Sequence, residues 1–261
     1  MSATALPSPD RLYVGDLFWT FVRTDLKARY QGTIGGFVWA LLKPLAMFVV
    51  LLSVFSFVFQ SDAQYKVNLI IGLFLYNFFA EATSVGLVSL FSKGYLLTKV
   101  RFPSWIVVAS SVSNPLLTLL IFSAVITVFV SATTSVPGPV SLLLFLFALV
   151  LYFLMVIGLA LSMSVLFLRY RDLNQIWEVV IQAGMFLAPI IYPLSIIPER
   201  YRLLLYLWPP TTMVQYARAV LVDQRIPSSG EHLWFVGQTA FLLLLGILVF
   251  RRHAPRAAEY L

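Results

Sequence analysis

Few residues in this 261-residue chain could do chemistry, and most lack the neighbours that chemistry requires. Glu81 lies inside the apolar run GLFLYNFFAEATSVGL, where an ionised carboxylate is costly and marks either a functional site or a buried partner. A proton relay needs several such groups; Glu81 is the one acid deep in an apolar run, which favours structural pairing. His232 and His253 flank the last apolar run without neighbouring ligands, so no histidine-rich metal site is expected. With no cysteine, thiol catalysis, disulfides and iron–sulfur clusters are excluded. No Gly-Lys pair occurs, so the Gly-rich phosphate cradle that ends in Gly-Lys-Ser/Thr is absent, and no Ser-His-Asp set can be assembled. The chain is therefore expected to catalyse nothing covalent, to hold no cofactor or metal, and to draw any energy from elsewhere.

The elements around these residues are apolar. Hydrophobic residues make up 60% of the chain and charged ones 11%, against roughly a quarter charged in a soluble domain. Mean hydropathy is +0.90. The net charge of +7 is scattered between apolar runs rather than gathered on one module, which argues against nucleic acid. A spanning helix needs about 20 apolar residues to match a hydrocarbon core roughly 30 Å thick. Six segments qualify: Gly35 to Phe59, Val67 to Phe91, Ser104 to Ser131, Val140 to Leu168, Ile176 to Leu194 and Leu233 to Phe250. Ahead of them, a helix capped by Asp10 and running to about Tyr30 is expected. It sets Val14, Leu17, Phe18, Phe21, Val22 and Leu26 against Asp16, Thr20, Arg23, Thr24 and Lys27, the pattern of a helix lying in the membrane interface. The fold expected is an all-α integral membrane protein: residues 1–33 form the N-terminus and interface helix, and residues 34–261 form a six-span domain.

Cytoplasmic loops retain Lys and Arg. A cytoplasmic N-terminus puts 13 of the 18 basic residues inside, among them Lys43, Lys93, Lys99, Arg101, Arg169 and Arg171, and leaves Lys66, Arg200, Arg202, Arg218 and Arg225 outside. Both termini are then cytoplasmic. The last outer connection, about residues 195–228, holds two apolar stretches too short to span, broken at Pro209-Pro210. It reads as a re-entrant or interfacial hairpin and a candidate outer gate, with a surface loop as the alternative.

Four stretches then carry a family resemblance. Arg29-Tyr30-Gln31-Gly32-Thr33-Ile34-Gly35-Gly36-Phe37-Val38-Trp39-Ala40-Leu41-Leu42-Lys43-Pro44 joins the interface helix to the first span. Ser92-Lys93-Gly94-Tyr95-Leu96-Leu97-Thr98-Lys99-Val100-Arg101-Phe102-Pro103 separates spans two and three. Arg169-Tyr170-Arg171-Asp172-Leu173 follows span four, and Ala188-Pro189-Ile190-Ile191-Tyr192-Pro193 closes span five. Together they resemble the membrane subunits of type-2 ABC exporters, in particular those exporting O-antigen, capsule and teichoic-acid polysaccharides. One departure is Trp208-Pro209-Pro210-Thr211, where relatives carry Asn-Pro in the outer hairpin.

The resemblance implies a homodimeric permease in the bacterial inner membrane. It would work with two copies of a separate ATPase that binds ATP and magnesium, and its substrate would be a lipid-linked glycan. The segment of about residues 92–103 would be a coupling helix, with Lys93, Tyr95, Leu96, Leu97, Lys99 and Arg101 meeting the ATPase. Arg23, Lys27, Arg29 and Tyr30 would belong to the interface helix and the approach to the first span. Aromatic platforms with few fixed hydrogen bonds let sugar slide, which nominates Phe37, Trp39, Phe48, Phe55, Phe59, Trp177 and Phe186 as channel-lining residues, with lipid-facing positions as the alternative. Tyr192, Trp208, Pro209 and Pro210 would form the outer gate. The rival readings are a type-2 exporter of a small lipid or drug, an ATP-independent channel, and a membrane glycosyltransferase.

Overall fold

The structure, a computed structural model, describes residues 11–31, 35–36, 38–57, 63–99 and 102–255. Phe37, Phe59, Arg101, the Gly32–Ile34 stretch, the side chain of Tyr30 and the Asp10 cap lie outside the described residues.

Among the described residues every regular element is helical. In order they are α1 (Arg11–Tyr30), α2 (Val38–Phe55), α3 (Ala63–Ser92), α4 (Gly94–Lys99), α5 (Trp105–Thr133), α6 (Pro139–Arg169), α7 (Leu173–Leu187), α8 (Glu199–Tyr206), α9 (Pro209–Leu221) and α10 (Ser229–His253). Five of them, α2, α3, α5, α6 and α10, are long and apolar enough to cross a membrane. The fifth expected span is shorter than its sequence suggests. Pro189 bars Ala188 from helical backbone, Ala188 turns extended (φ −73°, ψ 126°), and α7 stops at Leu187 instead of Leu194. Its 15 residues rise about 22 Å. The first span begins three residues later than expected because Gly35 and Gly36 adopt φ of +95° and +44°, a left-handed reversal that side chains resist.

α3 is the axis of the bundle. It packs against α5, α6, α9, α2 and α7, and Phe74, Phe78 and Phe79 on it are fully buried with Phe122 of α5 and Tyr152 of α6. α6 and α10 approach through glycine: a Cβ on Gly158 would lie 2.5 Å from the Leu242 carbonyl oxygen, and one on Gly246 would lie 2.0 Å from that of Gly158. Such backbone-to-backbone packing replaces the hydrophobic drive that lipid does not supply.

α1 lies across α5. Its expected polar face is exposed at Asp16, Thr20, Arg23, Thr24 and Lys27, while Phe21 and Val22 turn inward. At the other end of the bundle, Pro209 and Pro210 occupy the first turn of α9, where a missing N–H costs nothing. The expected break therefore yields two helices of unlike character. α8 carries no buried residue, whereas α9 is buried at all but one of its thirteen positions, against α3, α6 and α10. α10 opens on a capping box in which Ser228 N–H donates to Glu231 at 2.6 Å and Glu231 N–H donates to Ser228 Oγ at 3.3 Å. Arg225 adds two bonds to the same carboxylate, at 2.8 and 2.6 Å, and the pairing holds its guanidinium pKa above the ordinary value.

Candidate functional site

The end of the bundle that carries α4 presents a small mixed face. Gly94 starts a six-residue helix directly after Lys93, and its first turn hangs from the Lys93 carbonyl, which accepts from Leu96 N–H at 3.0 Å and Leu97 N–H at 3.4 Å. Tyr95 is 67% exposed and Leu96 37% exposed. The Lys99 ammonium lies 4.2 Å from the Tyr95 ring centre and bonds the Tyr95 hydroxyl. Leu97 instead turns inward against the core. The expected docking residues thus divide into an outward Tyr95, Leu96 and Lys99 and an inward Leu97. Lys93 also points inward: its ammonium donates to Asp25 Oδ2 at 2.5 Å and to Ser111 Oγ at 3.2 Å.

The Tyr170–Asp172 turn sits beside this face. The Arg171 guanidinium stacks 3.8 Å over Phe91 and 5.4 Å from Phe167, at the foot of α3 and α6. Arg29, at the end of α1, pairs with Glu81 of α3, so the intramembrane acid has a cation for partner. Both line a cleft of about 550 Å³ with Gly36, Trp39, Lys43 and Asn77. Arg23 and Lys27 remain solvent-facing on α1.

The aromatic candidates do not share one surface. Phe48 is buried at 8% exposure, edge-on to Phe129 at 6.1 Å, and Phe55 is half-buried against the core, so neither opens outward from the protomer. Trp39 on α2 and Phe186 on α7 do, at 51% and 67% exposure. Trp177 turns the other way. Its indole N–H donates to Thr83 Oγ1 at 3.0 Å, and its ring stands 6.2 Å from both Phe79 and Trp208. Trp208 in turn meets Phe79 edge-on at 5.3 Å. A lining candidate and a gate candidate therefore share one aromatic seam between α3, α7 and the α8–α9 hairpin. The Tyr192 hydroxyl donates to the Phe186 carbonyl at 2.8 Å and ties the segment after α7 to the end of that helix.

Sequence reasoning missed three features. On α7, Gln175, Glu178 and Gln182 are exposed and, with Phe186, follow one face at helical spacing. The i, i+3, i+7, i+11 pattern was visible in the sequence. Arg218 of α9, counted among the exterior cations, is buried: it donates to the carbonyls of Pro189 (2.6 Å), Asn68 (2.8 Å) and Ile190 (3.2 Å). It ties α9 to the start of α3 and to the segment that follows α7. Asp25 and Phe21, finally, flank the stem of α4. Among the described residues no three His, Asp or Glu side chains gather as a metal site.

A helical bundle with five membrane-length helices, an amphipathic helix laid across one end and the buried α9 at the other defines a multi-pass membrane protein. The chain belongs to the ABC-2 type transporter family, whose sequence profile matches residues 16–222. Along nearly its whole length it is similar to proteins called O-antigen export system permease protein RfbA. Two come from Klebsiella pneumoniae, at 25% identity over 251 residues and 26% over 254, each match covering 95% of this chain and 96% of the relative. A third, from Myxococcus xanthus, is 25% identical over 246 residues, 93% of this chain and 94% of its own length.

Proposed function

We propose that this chain is the permease subunit of an ABC exporter that carries a lipid-linked polysaccharide across the bacterial inner membrane. It works as a homodimer with two copies of a separate ATPase. The observation that carries the reading is the polar face of α7. Gln175, Glu178 and Gln182 on a helix of the membrane bundle are costly against lipid and are at home against water, a partner or a hydroxylated cargo. Phe186 on the same face and Trp39 on the sparsely buried α2 supply ring platforms for the apolar faces of sugars. One copy offers too few helices to enclose a wide hydrated path, so two copies set α2 and α7 around it.

The rest of the topology follows. α7, continued by residues 188–196, makes the sixth crossing, which leaves both termini, α1 and α4 on the cytoplasmic side. The α8–α9 hairpin dips back from the outer face, where Trp208, Pro209, Pro210 and Tyr192 form the gate. The outward face of α4, Tyr95, Leu96 and Lys99, docks in the ATPase, and Arg101 with the basic face of α1 adds charge. Glu81 acts as the partner of Arg29, not as a proton carrier. The chain holds no cofactor; ATP and magnesium belong to the ATPase.

Reconstitution of the chain with its ATPase in vesicles containing the lipid-linked glycan tests this. Glycan translocation and glycan-stimulated ATP hydrolysis are expected. ATP-driven movement of a glycan-free lipid alone would instead make the chain a small-lipid exporter.

A further inference from the structure

We propose that α1 and α4 move as one element, and that Phe21, Asp25 and Lys93 are the positioning residues that carry motion of the short helix into α1 and the foot of α5. The inference rests on the exporter reading for the source of the motion. Phe21 and Asp25 stand four residues apart on α1 and so share a face one turn deep. That face meets both ends of the coupling segment. On the N-terminal side, the Lys93 ammonium lies 5.0 Å from the Phe21 ring centre and 2.5 Å from Asp25 Oδ2. On the C-terminal side, Phe102 packs on the same Phe21 ring at 5.6 Å. α4 is therefore held to one turn of α1 at both its ends.

The third element converges at the same ammonium. Lys93 reaches Ser111 Oγ at 3.2 Å and Ser110 Oγ at 3.5 Å, and both serines are buried at the foot of α5. With its side chain only 13% exposed, Lys93 is ill placed to meet a partner protein. A charge-assisted bond shielded from water is short, directional and stronger than one at the surface. Because the Lys93 carbonyl also anchors the first turn of α4, the backbone that carries the ammonium shifts with that helix. Docking and transmission are thereby separated: Tyr95 and Leu96 receive the push, and Lys93 passes it on.

Removing one charge would strand the other, whereas removing both leaves an uncharged contact of similar shape. The decisive variant is thus the double Asp25→Asn/Lys93→Met, compared with Lys93→Arg, which keeps the charge. The chain has no cysteine, so Trp19→Cys on the exposed side of α1 accepts a single environment-sensitive fluorophore. In the full complex with the ATPase, ATP should shift this signal. We expect the double variant to assemble with the ATPase yet lose the shift at least about fivefold, and to move about tenfold less glycan per ATP, within the usual span of coupling strengths. Lys93→Arg should retain most of both. A full ATP-dependent shift in the double variant, loss of both readouts in Lys93→Arg, or no shift in the parent complex overturns the linkage. A parent complex that shifts at Trp19 but moves no glycan sinks the exporter reading and leaves the linkage standing.

Discussion

Replacing Gly184 by alanine should disable the aromatic seam through one atom. A Cβ at this position would lie 2.4 Å from Trp208 Cζ2 and 2.7 Å from Cε2, where ordinary contact begins at 3.4 Å. The indole must therefore retreat by about 1 Å, and the protein has little room for that. Phe79 abuts it edge-on at 5.3 Å and Trp177 stands at 6.2 Å, itself tethered to Thr83. Overpacking of this kind costs about 1–3 kcal/mol, and a disturbed aromatic contact adds to it, so we expect Gly184→Ala to destabilise the chain by about 2 kcal/mol. The assay is denaturation of the purified chain in detergent, followed by far-ultraviolet circular dichroism. The attribution is checked by a cycle with Trp208→Ala. With the indole gone, the alanine should cost less than about 0.5 kcal/mol, the remainder coming from the Tyr76 hydroxyl 2.9 Å away. An equal penalty in both backgrounds would refute the clash and with it the claim that α7 and the hairpin meet through Trp208.

Other perturbations separate faces that the sequence could only join. Leu96→Asp should abolish assembly with the ATPase while membrane insertion and stability stay normal. Leu97→Asp should cost about 2–3 kcal/mol of stability, because its charge enters the core; pull-down and denaturation distinguish the two. A single cysteine at Tyr95 should react with a membrane-impermeant maleimide from the cytoplasmic side alone; labelling from outside would leave the ATPase nothing to grip. Glu178→Leu/Gln182→Leu should leave basal ATP hydrolysis unchanged and cut glycan transport about tenfold or more, the equivalent of roughly one lost hydrogen bond of net strength 1.4 kcal/mol. Normal transport in that variant would put this face of α7 outside the path.

The helices were legible because lipid is an unforgiving solvent. Long apolar runs bounded by charge gave α3, α5, α6 and α10 to within four residues at each end, and the alternation along α1 gave its buried and exposed faces. The differences have local causes. Pro189 ends α7 early although the hydropathy continues to Leu194, because hydropathy does not register the clash a proline imposes on the residue before it. The sequence offers the aromatics as one class, whereas Phe48, Phe55 and Trp177 turn to the protomer core and Trp39 and Phe186 turn away. Composition cannot make that distinction, since lipid, core and sugar all accept an aromatic ring.

The charged residues are where a single sequence runs out, and the reason differs from case to case. Lys93 has a partner 68 residues away, and nothing within either segment signals the other; Asp25 on the inward face of an amphipathic helix was the local clue. Arg218 is harder still. Its partners are three backbone carbonyls, which carry no residue identity, so no reading of side-chain types could have found them. Two of those carbonyls, Pro189 and Ile190, are left without helical partners for a physical reason: Pro189 and Pro193 break the helix after α7, and oxygens buried there need donors. A guanidinium, with five donors and a permanent charge, meets that need from α9. The proline that shortens α7 and the arginine that enters the hairpin are thus two halves of one device, which ties the end of the helix carrying the polar face to the hairpin and to the start of α3.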